Sequence, residues 1–185
     1  MNRKTPLFLA ALAVACAVPV AAQTVANGPY YATPSWDQTL PVATRFIVLS
    51  NLAHRAVLDR ETGLVWEREP SNLRYPQVPP AGTFGGFYAP ERCLSATTGG
   101  RMGWRLPSAA ELTSLMDPTQ ATPGLPAGHP FDLGGSLSFW SATRYFPERF
   151  PAAYRTVSSS GVFGAADGLI PIAVWCVRGG ALAGN

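Results

Sequence analysis

Histidine and lysine are the residues this chain has least of, and charge of either sign is sparse. Two histidines, His54 and His129, occur in 185 residues. His54 lies between predicted strands and His129 in a proline-rich loop. Neither stands in a set of Cys, His or Asp at metal-ligand spacing. Residue order leaves a Ser-His-Asp triad open, but no Gly-x-Ser-x-Gly elbow is present to expose a nucleophile. The chain therefore reads as non-enzymatic, with no catalytic residues, no metal and no cofactor. No internal repeat is visible. Charged residues make up 14% of the chain, too few for a solvated helical surface. Gly and Pro, 18 each, exceed the usual share. Together these predict one loop-rich domain with a real core.

Long hydrophobic runs are absent apart from one. Leu7 to Val18 is apolar and stops at Pro19, shorter than the ~20 residues a membrane span needs. It follows the basic pair Arg3 and Lys4 and precedes the small residues Val20-Ala21-Ala22. That is the pattern of a secretory signal over residues 1–22, cleaved before Gln23. An uncleaved anchor is one alternative, and a lipoprotein cut before Cys16 is another. Cleavage would remove two of the 14 basic residues and leave 12, all Arg, against 11 acidic ones. The mature net charge would be +1, which gives no whole-protein argument for nucleic acid. Export predicts a periplasmic or secreted protein without a membrane span in its mature form.

Three cysteines become two in that form, Cys93 and Cys176. An even count in an exported protein points to a disulfide; two buried free thiols are the alternative. Closing so long a loop is worth roughly 4–5 kcal/mol on chain-entropy grounds.

Gly99 to Met116 organises the predicted fold. Gly99-Gly100 is expected to stop a helix that begins near Pro90 and runs to Thr97. Trp104-Arg105-Leu106 reads as a short extended piece. Ser108 and Glu111 form a capping box for a second helix carrying Leu112, Leu115 and Met116, ended by Asp117-Pro118. Residues 23–44 read as an irregular N-terminal segment. Strands are expected at 45–49, 56–59, 64–67, 138–143, 153–158 and 172–178, the last unbroken, with a turn at Gly161 leading into Val162-Phe163. Arg60 to Gly63 is a hairpin turn, and Pro70 to Gly86 reads as loop. The class is α+β: two short helices with a looped, mostly antiparallel sheet. First and last strands are expected to be neighbours, bringing the termini together.

Four motifs in this order resemble a family. They are Asp59-Arg60-Glu61-Thr62-Gly63-Leu64-Val65-Trp66; Cys93 with Gly99-Gly100 and Trp104-Arg105-Leu106-Pro107; Phe139-Trp140-Ser141-Ala142-Thr143; and Cys176-Val177-Arg178-Gly179-Gly180. Over residues 45–180 the chain is similar to the Lcl C-terminal domain family, named for the Legionella collagen-like adhesin, with Ala142 where the family has Ser. Residues 181–185 form a tail. No collagen-like Gly-x-y repeat precedes the domain, so trimerisation by a collagen stalk does not carry over. The resemblance implies a C-type-lectin-like fold with a bridge from the first helix to the last strand. It also implies adhesion or carbohydrate binding, since the best-known member binds sulfated glycosaminoglycans. The Glu-Pro-Asn, Gln-Pro-Asp and Trp-Asn-Asp tripeptides of calcium-dependent lectins are missing. So are the extra active-site thiols that a related formylglycine-forming oxidase requires.

Trp66, Trp104, Trp140 and Trp175 fall within the motifs and read as core; Trp36 lies outside them and reads as exposed. Arg105 is expected to cap carbonyls or pair with Glu111 or Asp59. The remaining cluster is Arg144, Arg149 and Arg155, interleaved with Tyr145, Phe146, Phe150 and Tyr154. It is the candidate ligand-binding surface for a polyanion or glycan, with a solvated Arg face as the bland alternative. The expected role is non-catalytic binding to a glycan or envelope protein. The rival is a structural or assembly partner of other surface proteins. Homo-oligomerisation stays open.

Overall fold

A computed structural model describes residues 40–79, 88–117, 119–120, 124–136, 138–145, 153–158 and 160–179. The expected signal with Cys16, the segment up to residue 39 with Trp36, residues 146–150 and the tail lie outside the described residues.

The class is α+β, with three short helices and two mostly antiparallel sheets of five strands. The first sheet begins with β1 (Phe46–Val48), β2 (Ala56–Asp59) and β3 (Leu64–Glu67). It is completed by β5 (Trp104–Arg105) and β10 (Val177–Arg178), in the order β1-β2-β3-β10-β5. The second contains β4 (Ser71–Tyr75), β6 (Ser138–Arg144), β7 (Ala153–Ser158), β8 (Phe163–Asp167) and β9 (Ile172–Val174), in the order β4-β9-β6-β7-β8. Its β6–β9 pair is parallel.

The β2–β3 hairpin forms as expected, and its turn is built by Asp59. One carboxylate oxygen accepts the Glu61 N–H at 3.0 Å and the other accepts the Thr62 hydroxyl at 3.1 Å. Gly63 closes the turn at φ 69°, a conformation that favours glycine.

Helix α1 (Val42–Arg45) is a single turn ahead of β1, where the sequence predicts irregular chain. Helix α2 (Ala89–Leu94) starts with Pro90 in its first turn and stops at Ser95, earlier than expected. Gly99 and Gly100 do not end it. They lie in a separate 3-10 turn, Thr98–Gly100, at φ 64° and 70°. Helix α3 (Ala109–Ser114) carries the complete capping box: the Glu111 N–H donates to Ser108 Oγ at 3.1 Å, and the Ser108 N–H donates to Glu111 Oε2 at 2.8 Å.

Three further expectations are corrected. The stretch 172–178 is two strands in two sheets. Between them Trp175 and Cys176 turn to Glu67: the indole N–H donates to Glu67 O at 2.7 Å, and the Cys176 N–H donates to the Glu67 carboxylate at 3.3 Å. The Cys176 carbonyl in turn accepts the Glu67 N–H at 3.1 Å. Residues 71–75, read as loop, form edge strand β4, whose bulged pairing with β9 leaves no alternating pattern. First and last strands are not neighbours: β1 is an edge, and β10 sits between β3 and β5.

Two apolar clusters fill the fold. One joins Leu112 of α3 and Leu115 just after it to Phe46, Val57, Trp66, Phe139, Val157 and Trp175. The other joins α2 (Ala89, Cys93) to Leu52, Ala56, Trp104, Trp140 and Val174. Cys93 and Cys176 are bonded across the second, with Cα atoms 5.5 Å apart and 83 residues between them in sequence.

Candidate functional site

Most motif side chains are consumed by the architecture. Trp66, Trp104, Trp140 and Trp175 are all fully buried. Three indole N–H groups donate to backbone carbonyls: Trp104 to Arg101, Trp140 to Tyr75 and Trp175 to Glu67. That of Trp66 has no partner among the described residues. Arg105 pairs with Glu111, as expected, and also donates to Gly179 O at 2.9 Å. Burial raises the Glu111 carboxyl, but hydrogen bonds from Arg105 and Ser108 and the Arg105 charge outweigh it and hold it below its ordinary value. The Phe-Trp-Ser-Ala-Thr motif docks α3: Ala142 N–H donates to Pro107 O, and Thr143 Oγ1 accepts the Ala109 N–H.

The two histidines hold no constellation. His54 is exposed in the β1–β2 turn. The imidazole of His129 is half-buried, accepts the Phe131 N–H at 3.2 Å and has its pKa lowered by burial. Among the described residues no three His, Cys, Asp or Glu side chains are grouped to hold a metal.

Of the expected binding residues, the structure brings two into register. Arg144 is exposed at the end of β6 and faces Tyr154 of β7 across the ladder; Tyr145 follows it, half-buried. Arg155 is paired with Ala165 of β8 along the backbone. Arg149, Phe146, Phe150 and the side chains of Tyr154 and Arg155 lie outside the described residues.

A second region was not singled out from the sequence. Glu67, buried at the end of β3, gathers α2, the 3-10 turn and the disulfide. Its carboxylate accepts from Arg92 Nη2 at 3.0 and 3.2 Å, from Thr98 Oγ1 at 2.6 Å and from the Cys176 N–H. Arg92 Nη1 also lies 3.4 Å from Cys176 Sγ. Over this centre opens a cleft of about 540 Å³, whose walls include Ala53, Arg55, Arg92, Thr97, Thr98 and Gly99. A smaller cleft of about 260 Å³ shares Arg55 and Arg92 and adds Glu69, Asn72 and Asp132.

The β1–β2 turn shapes this wall. Ala53 and His54 are consecutive non-glycine residues at φ 52° and 60°, a conformation L-residues adopt at a cost. The turn drives Leu52 inward and leaves Arg55 exposed. Gly99 packs so tightly on Leu52 that an added Cβ would meet Leu52 Cβ at 2.6 Å. The sequence signals were faint: a charged residue after Trp66, and an Arg directly before Cys93.

No described helix is long and apolar enough to cross a membrane. A search of curated proteins and a search of solved structures each return no match. The family model described as the Lcl C-terminal domain matches residues 55–178. That stretch runs from the β1–β2 turn to the end of β10 and takes in the first three motifs and Cys176-Val177-Arg178 of the fourth, so the chain belongs to the Lcl C-terminal domain family.

Proposed function

We propose that the protein is an exported, non-catalytic binding domain for sulfated or otherwise anionic glycans at the cell envelope. The observation that carries this reading is the placement of Arg144. It is exposed at the end of the longest strand, β6, in register with Tyr154 and beside the strand that bears Arg155. A paired strand is a rigid platform, and Arg offers a planar fork of donors that fits sulfate and carboxylate oxygens. Family membership supports an adhesin-like role, and the bridge from α2 to the residue just before β10 supports the wider kinship with C-type-lectin folds. Export is supported by the disulfide and by the residue pattern of 1–22.

Heparin chromatography tests the glycan reading. Wild-type protein is retained at low salt and elutes as salt screens exposed charges over about 8–10 Å. Replacing Arg144, Arg149 and Arg155 with Ala abolishes retention without changing the melting temperature. Flow-through of wild-type protein at low salt overturns the reading.

One observation favours the rival, a structural partner of other surface proteins. Val162, Phe163, Leu169 and Ile170 are exposed along and beside β8, the outer strand of the second sheet. Edge strands with apolar side chains are pairing surfaces. Co-purification from the native envelope, with loss of the partner on Phe163→Asp, would support that rival.

A further inference from the structure

We infer that the double cleft at Arg55 and Arg92 is a second binding site, selective for a saccharide unit that carries a single carboxylate. It is separate from the Arg144 surface and stands whether or not that surface binds glycan.

The charge pattern sets the ligand. Arg92 is fixed by the buried Glu67, so its charge is compensated while its fork is held in place. Its hydrogen bonds run through Nη1 and Nη2 and leave the Nε–H without a partner among the described residues. Arg55 is exposed on the wall common to both lobes, and its guanidinium has no described partner. The larger lobe thus offers a cation in no direct ion pair among the described residues, beside a pre-oriented second fork, with the Thr97 hydroxyl on the same wall. That suits one carboxylate, gripped at two points.

The smaller lobe adds the discrimination. Glu69 and Asp132 place two carboxylates beside the Arg pair, and Asn72 lines the same lobe. Acidic side chains accept hydrogen bonds from sugar hydroxyls. They also repel a second or third anionic group. A densely sulfated polymer is therefore disfavoured here, whereas a uronic-acid-type unit places its carboxylate on the Arg pair and its hydroxyls toward Glu69 and Asp132. Among the described residues no aromatic or large aliphatic side chain lines either lobe, which argues against an apolar ligand. The volume of about 540 Å³ falls within the range of roughly 300–1,000 Å³ common for small-ligand sites.

The backbone supports a site rather than a chance hollow. Two non-glycine residues in left-handed conformation, Ala53 and His54, immediately precede Arg55. Gly99, packed on Leu52, and Gly100 line the same cleft at positive φ, which glycine adopts freely. Strain of the kind held at Ala53 and His54 gathers where a surface must keep one shape.

Calorimetric titration of the purified chain with tetragalacturonate, which bears one carboxylate per sugar and no sulfate, tests the site. Measurable binding is expected, weakened about tenfold or more by Arg55→Ala and by complete methyl esterification of the ligand. Arg55 is exposed, so the variant keeps its melting temperature. Glu69→Gln with Asp132→Asn should raise affinity for heparin measured on an Arg144→Ala background. Absence of tetragalacturonate binding, equal binding of the methyl ester, or an unaffected Arg55→Ala variant overturns the proposal. Equal binding of the dipeptide Gly-Gly overturns its commitment to a saccharide. Heparin retention by the triple Arg variant reports separately on the Arg144 surface.

Discussion

Arg45 and Asp59 form a two-point ion pair inside the protein. Nε donates to Oδ1 and Nη2 to Oδ2, each at 2.9 Å, and the side chains are 2% and 0% exposed. Arg45 Nη2 also donates to Ser114 O at 2.7 Å, tying the end of α3 to the start of β1. The Arg45 guanidinium lies 4.6 Å from the Phe46 ring centre. One pair thus joins the β2–β3 turn, the N-terminal edge of the first sheet and the main helix.

Arg45→Leu should therefore be among the most damaging single changes. It leaves a buried carboxylate whose remaining donors are the Glu61 N–H and the Thr62 hydroxyl. Removing one partner of such a pair costs about 3–5 kcal/mol. Urea unfolding of the variant measures it. The double variant Arg45→Leu, Asp59→Asn removes the orphan charge and should recover part of the loss. A single variant within about 1 kcal/mol of wild type would show that solvent reaches the pair.

Elements with strong local signals were legible in the sequence; elements defined by long-range partners were not. Ser108 and Glu111 sit three residues apart, so their capping box was readable before any fold was known, whereas for Arg105 the sequence left Glu111, Asp59 and carbonyls as alternative partners. The four motif Trp residues were readable as core because their surface is too large to leave wet. The split of 172–178 depends on Glu67, more than a hundred residues upstream, taking the Trp175 and Cys176 N–H groups. No local periodicity carries that. β4 was missed for a similar reason: an edge strand with a bulge needs one partner and no alternation. The cleft was missed because Arg55, Arg92 and Glu67 converge only after α2 is bonded to the chain before β10.

The two neighbouring glycines of the 3-10 turn should respond differently to the same substitution. Both have positive φ, which costs Ala about 1–2 kcal/mol. At Gly100 an added Cβ meets nothing within 4 Å, so that figure is the whole effect. At Gly99 it would meet Leu52 Cβ at 2.6 Å and Leu52 O at 2.8 Å. Backbone of the β1–β2 turn must then move, adding roughly 1–3 kcal/mol of overpacking. Thermal unfolding of Gly99→Ala and Gly100→Ala compares them; equal shifts would mean that the turn yields without cost.

The disulfide should contribute more than any single apolar contact. It closes an 83-residue separation and restrains the unfolded chain. Removing a native bridge of this kind costs about 2–5 kcal/mol. Cys93→Ala with Cys176→Ala should lower the denaturation midpoint accordingly. Peptide mapping without reductant should recover the Cys93 and Cys176 peptides joined. Free thiols at both positions in protein from an oxidising compartment would contradict the bonded geometry.

Stability should fall with acidity in two stages, and the order identifies the groups. Burial lowers the pKa of His129. As pH falls, the unfolded chain takes up the proton first, so the neutral imidazole's contribution is complete above about 6.5 and declines as pH drops through the folded value. Its Nδ1 must remain an acceptor for the Phe131 N–H, and protonation removes that acceptor. His129→Asn supplies an amide oxygen instead and should flatten the first stage. Glu111 is also held below its ordinary value, by Arg105 and Ser108 against the opposing effect of burial. Its contribution is present above the unfolded carboxyl range near 4.3 and is lost as pH falls through the lower folded value. Glu111→Gln should shrink the second stage, to which Asp117, also held low by hydrogen bonds from Thr119, contributes, and should weaken the α3 cap at neutral pH. Urea midpoints measured from pH 8 to pH 3 on the three proteins separate the stages. A first stage that persists in His129→Asn would assign it to another group.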